Sequence, residues 1–234
     1  MENRERIQII DAIRGFCLVL MIFYHFFYDL VNFLGAPSWI LYNPVFDVLQ
    51  PFFAGVFIAI SGISSRFSRS NIRRGGLVLA VAATVTLVTW LMNNIVLFGI
   101  LHLLGVCMVF YGLTSKIWDR IPEKAAPIIY IALIAASIFL KNQLNPVDTD
   151  GLWFLGFYRA SFYSSDYFPL LPWIFVFLLG TCLGKPIARK RLPERFYTVS
   201  PPVFPAIGRK TLVIYILHQP VLYGVTMLIK TVIG

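Results

Sequence analysis

Asp11, Arg14, His25 and Asp29 lie in one apolar stretch, DAIRGFCLVLMIFYHFFYD, and their spacing sets them along one side of a helix. His25 follows Arg14 by 11 positions, which returns it to within roughly 20° of the same face. Asp11 precedes Arg14 at i+3 and Asp29 follows His25 at i+4, both neighbour spacings. Ionisable side chains inside a stretch long enough to cross a bilayer are costly, so they face a cavity or a partner and mark a site. With Arg14 at a membrane surface, His25 lies roughly 16 Å deeper, near the middle of the hydrocarbon. The chemistry suited to this line is proton transfer. Asp29 accepting a hydrogen bond from one imidazole nitrogen would fix the tautomer and leave the other nitrogen as a base. A buried polar pair that only holds helices together is the plainer alternative.

His218, nine residues past Arg209, reaches roughly 13 Å into the membrane, a depth like that of His25. Pro220 beside it frees a backbone carbonyl, so His218 either shares a central cavity with His25 or satisfies that carbonyl. His102 in LHLLG has no polar company and reads as a packing residue. Arg66, Arg69, Arg73 and Arg74 form the sharpest basic cluster. Their forks match phosphate oxygens, although topology and lipid headgroups also call for cations at such a loop. The preceding GVFIAISGISS is rich in small residues, which let a helix or a thin ligand approach closely.

The elements that must carry these residues are membrane helices. The 234 residues are 58% hydrophobic and only 13% charged, with a mean hydropathy of +0.76. Soluble domains run nearer ~50% apolar and ~25% charged. The first apolar run outlasts a signal peptide and no small-residue cleavage site follows it. The net charge of +9 does not point to nucleic acid. All Lys and Arg except Lys141, Arg159 and Lys230 fall near the start (Arg4, Arg6, Arg14), at 66–74, at 116–124 or at 185–210. Basic groups at every second loop are the positive-inside pattern, and membrane lipids are the expected partner. Cys17, Cys107 and Cys182 all sit in apolar stretches, match no zinc spacing and read as buried free thiols. No metal is expected.

Seven spans follow, at about 12–34, 46–64, 75–92, 97–115, 125–140, 168–184 and 211–230, each near the ~20 residues that cross the hydrocarbon. The expectation is a single all-α integral membrane domain over 1–234, a bundle of about seven transmembrane helices, with the N-terminus cytoplasmic and the C-terminus outside. The segment 141–167 is the longest outer connection and holds seven aromatic residues, among them Trp153, Tyr158, Phe162 and Tyr167. It reads as an interfacial belt, or as a surface on which sugar rings stack. The stretch 185–210 is a basic, proline-containing loop.

RIQIIDAIRG with His25 eleven residues after Arg14 resembles the membrane acyltransferases of the heparan-α-glucosaminide N-acetyltransferase catalytic-domain family. It is similar, more distantly, to the acyltransferase-3 family that O-acetylates bacterial surface sugars. FIAISGISSRFSR, GILHLLGV, FPLLPW and LVIYILHQP continue the likeness in order along the chain. The resemblance implies acetyl (acyl) transfer from cytoplasmic acetyl-CoA to a carbohydrate-type hydroxyl or amine on the far side, in a multi-pass protein of the cell membrane. It also implies functional positions at Arg14, His25, Arg66 and Arg69, and a homodimer. Arg66, Arg69, Arg73 and Arg74 are expected to hold the coenzyme phosphates while the thin arm reaches His25, with His218 also counted among the coenzyme-binding residues. His25, oriented by Asp29, would then act as base, with Arg14 and Asp11 at the arm's entry. The competing reading is a proton-coupled transporter using Asp29, His25 and His218.

Overall fold

The computed structural model describes residues 7–233, so Arg4 and Arg6 lie outside the described residues. The described chain is helical: α1 (Gln8–Leu34), α2 (Pro44–Ser65), α3 (Asn71–Leu91), α4 (Ile100–Trp118), α5 (Ala126–Leu144), α6 (Leu170–Ala188), α7 (Glu194–Thr198), α8 (Phe204–Arg209) and α9 (Thr211–Ile233). All except α7 and α8 are long and apolar enough to cross a membrane, which makes this a multi-pass membrane protein with the seven expected spans. Their outward faces are apolar, with Leu113, Ile128 and Phe139 each more than 60% exposed. On a helix whose surroundings are lipid, such side chains need no protein partner.

The chain divides within α2 into two compact units, one of residues 1–57 with 192–234 and one of residues 58–191. In the first unit α1 packs against α9 and α8. Side-chain contacts step along α1 and α9 in the same sense, from His25 with His218 to Phe33 with Tyr223, so the two helices run parallel. The loop expected over 185–210 contains a short helix, α8, that crosses α1 at reciprocal glycines. A Cβ on Gly208 would lie 1.9 Å from the Asp11 carbonyl oxygen, and one on Gly15 would lie 2.2 Å from that of Phe204. Hydrophobic transfer cannot drive helices together in lipid, so close backbone contact through small residues supplies the attraction. Within α9, Pro220 sits inside an otherwise continuous helix.

In the second unit α3 packs on α4, and α5 and α4 pack on α6. The small residues ahead of the arginine cluster receive α6: a Cβ on Gly180 would lie 2.0 Å from the Ala59 carbonyl, and one on Gly62 would lie 2.1 Å from that of Phe177. A helix therefore fills the groove for which a thin ligand was the alternative. The 145–169 connection contains a single 3-10 turn, Trp153–Leu155. It is tied along residues 94–100, where Phe168 N–H donates to the Phe98 carbonyl at 2.8 Å and Leu97 N–H donates to Ser164 Oγ at 2.9 Å. Asp166 closes the start of α4 by accepting from Ile100 N–H at 3.3 Å. Its proline content and these cross-ties suit a loop that satisfies its backbone groups through neighbours.

Candidate functional site

Arg14 and Asp11 form the i,i+3 ion pair read from the sequence, at 2.8 Å, with both side chains largely shielded. Arg14 also reaches the Gly208 carbonyl at 3.5 Å, so the cation at the base of α1 braces the α8 crossing as well. Local geometry explains this, since Gly15 and Gly208 bring the two backbones together beside the guanidinium.

His25 stands about three turns further along α1, partly buried, and its Nδ1 lies 2.9 Å from the Met21 carbonyl oxygen. A carbonyl only accepts, so Nδ1 carries the proton and, in the neutral ring, Nε2 holds the lone pair. A backbone carbonyl therefore does the tautomer-fixing expected of Asp29. Asp29 is itself fully buried and accepts at Oδ1 from Gln219 Nε2, 3.0 Å away on α9. An i+4 neighbour on a helix sits beside the histidine, but a carbonyl one turn back is nearer to a ring that folds toward the N-terminal side. The reassignment leaves the expected base nitrogen bare and moves its cause.

His218 joins His25. The two ring centroids are 4.9 Å apart with planes crossed at 76°. His218 Nδ1 lies 2.6 Å from the Tyr215 carbonyl oxygen, which sets the same tautomer as in His25. Both readings held open for His218 thus apply together: it satisfies a helix carbonyl and it meets the other histidine. Along this part of α1 and α9, four buried polar atoms lack a hydrogen-bond partner among the described residues: Asp29 Oδ2, His218 Nε2, Gln219 Oε1 and, about two turns past His218, Thr226 Oγ1. Gln219 and Thr226 were not singled out from the sequence. The available signal was an amide and a hydroxyl seven residues apart in an apolar helix, a spacing that puts them on one face.

The arginine cluster divides. Arg66 Nη1 donates to Asp119 Oδ2 at 2.8 Å, its Nη2 pairs with Asp119 Oδ1, and its Nε donates to the Thr181 carbonyl at 2.9 Å. Its guanidinium also lies 5.4 Å over the Tyr111 ring, and Lys185 joins Asp119 at 3.5 Å. Arg66 is thus spent on tying the ends of α2, α4 and α6, a role for which Asp119 and Lys185 gave no sequence motif. Burial works to raise the Asp119 carboxyl, but the hydrogen bond from Arg66, with its charge and that of Lys185, holds it below the ordinary carboxylate value. Arg69, Arg73 and Arg74 are exposed and form no ion pair among the described residues. They flank the start of α3, where Ser70 caps the helix by accepting from Arg73 N–H at 3.2 Å. Ser68 Oγ and Asn71 Oδ1 beside them are buried without partners.

His102 stacks on Phe98 at 6.0 Å, and Thr86 Oγ1 at 3.2 Å gives it the polar neighbour that the sequence reading did not find. The aromatic residues of the 145–169 connection largely face one another, as in the Trp153–Phe162 stack at 6.1 Å. Cys17, Cys107 and Cys182 are free and buried, as read. No curated protein and no solved structure matches the chain. The family model "Heparan-alpha-glucosaminide N-acetyltransferase, catalytic" matches residues 6–220, nearly the whole length, and the chain belongs to this family of membrane acetyltransferases.

Proposed function

We propose that the protein moves an acetyl group from acetyl-CoA to a carbohydrate-type hydroxyl or amine, with His25 as general base. The observation that carries this reading is the bare Nε2 of a tautomer-fixed imidazole halfway along a membrane helix. In the proposed step the acceptor nitrogen or oxygen attacks the thioester carbonyl carbon while His25 Nε2 takes its proton. The C–S bond then breaks and the imidazolium returns the proton to the leaving thiolate. Arg14, braced by Asp11, keeps the base of α1 in place. Arg69, Arg73 and Arg74 hold the coenzyme phosphates, supported by their unpaired charge, the start of α3 and the hydroxyl of Ser68. Arg66 contributes by bracing that loop. The grouping of basic residues supports a cytoplasmic N-terminus, acceptor chemistry on the opposite side and residence in the cell membrane.

Acetyl transfer by purified protein tests the reading. Folded His25→Ala loses about 10²–10⁴ in turnover; near-normal turnover discards His25 as base. Arg69→Ala with Arg73→Ala weakens acetyl-CoA binding in a thermal-shift titration, and unchanged binding removes the phosphate assignment. The unpartnered atoms Asp29 Oδ2, His218 Nε2 and Thr226 Oγ1 favour a second reading, a proton-coupled carrier. Proton flux in proteoliposomes without acetyl-CoA binding selects it.

A further inference from the structure

We infer that His218 is a proton-sharing partner of His25, so that the two imidazoles act as one site and not as a base with a bystander. The inference rests on the reading of His25 as base and goes beyond it. A base must hold its proton until the leaving group takes it, and an imidazolium inside an apolar span is expensive unless something shares its charge. The usual device, a carboxylate on Nδ1, is absent here. The Met21 carbonyl occupies Nδ1 of His25, and Gln219 engages Asp29.

What remains within reach is a second imidazole. Its ring centre is 4.9 Å away, its Nδ1–H is tied to the Tyr215 carbonyl, and its Nε2 is buried with no partner. Both rings thus present lone-pair nitrogens of the same kind. At a ring-centre separation of 4.9 Å, a rotation of one imidazole that brings the two nitrogens to hydrogen-bond distance lets one proton placed between them satisfy both. In the transfer step the acceptor's proton goes to His25 Nε2, is shared with His218 Nε2 while the C–S bond breaks, and returns through His25 to the thiolate. No atom or electron is gained or lost. His218 is therefore a positioning residue that acts through His25.

The titratable groups facing the pair are Asp29 and Tyr24 on α1 and Tyr215 on α9. From α2 the neighbour is Phe46, which touches Tyr24 and is followed by exposed Asp47. The α8 helix with Arg209 meets α1 at Asp11–Phe16, more than two turns before His25.

The chain has three histidines, so ¹⁵N-histidine-labelled protein in nanodiscs gives three ring signals to follow with pH. The expected result is that His25 and His218 protonate as a coupled pair in two separated steps, while His102 titrates alone. In His218→Gln, His25 then titrates in one step, and the reciprocal His25→Gln does the same for His218. Either variant that folds suffices. A His25 titration unchanged by His218→Gln, or a His218 titration unchanged by His25→Gln, overturns the inference. In acetyl transfer, His218→Gln lowers kcat by about 10-fold or more and alters the pH profile, leaving KM for acetyl-CoA within about twofold. A structural role alone would change melting temperature without moving that profile. If His25→Ala transfers acetyl normally, the general-base reading falls by itself, and the titration still reports whether the pair shares a proton.

Discussion

Removing Gln219 isolates the most exposed energetic question in the first unit, because it supplies the hydrogen bond to a fully buried carboxyl. Asp29 has no solvent exposure, its Oδ1 accepts from Gln219 Nε2 at 3.0 Å, and its Oδ2 has no partner. Gln219→Leu keeps the volume and deletes the donor. Leaving a buried acceptor unpaired costs about 1–3 kcal/mol in proteins generally. Side-chain hydrogen bonds between membrane helices average about 0.6 kcal/mol and reach about 1.7, because the separated helices find other partners. The overlap of these ranges sets the expected coupling near 1.5 kcal/mol, about a tenfold change in the folding equilibrium. A double-mutant cycle of Gln219→Leu and Asp29→Leu, followed by denaturant titration in mixed micelles, reads that coupling. Each single change leaves one polar group stranded, whereas the double change replaces both by apolar groups and recovers stability. A coupling below about 0.3 kcal/mol refutes the assignment of Gln219 as the partner of Asp29.

The glycine crossings give a graded test. Gly208→Ala and Gly180→Ala each force a methyl to within about 2 Å of a carbonyl oxygen and should lower stability by about 1–3 kcal/mol in melting experiments. Gly224→Ala meets no atom within 4 Å and should be neutral or stabilising by up to about 1 kcal/mol. Asp119 supplies the pH dependence: its carboxyl is held below its ordinary value, so its stabilising effect is complete above that value and is lost as pH falls through the lower folded one. Melting temperature should therefore decline below about pH 4, and Asp119→Asn should lower it at neutral pH while flattening the decline. An unchanged acid limb in Asp119→Asn removes the Arg66–Asp119–Lys185 cluster as its source.

Local chemistry made much of this legible without coordinates. Length and hydropathy alone demand the seven spans, because lipid accepts only backbones that bond within themselves. The i,i+3 spacing of Asp11 and Arg14 yields their ion pair, since neighbours on one helix need no information from the rest of the chain. That His25 and His218 reach a like level was readable by counting rise from Arg14 and Arg209, and their rings meet at 4.9 Å. Tertiary structure decided which atoms those residues face. Asp29 lies where its spacing to His25 requires, yet its hydrogen bond goes to Gln219, almost two hundred positions away on α9. Arg66 was read with Arg69 as a phosphate-binding pair, and nothing in the spacing announced that its fork lies against Asp119, from the end of α4. The α8 crossing was hidden because six residues among prolines carry no periodic signal, and its reciprocal glycines acquire meaning only when two backbones meet. Spacing along a helix fixes direction and depth, whereas partner choice depends on which other helix packs there, and that is settled by close contact between residues distant in sequence.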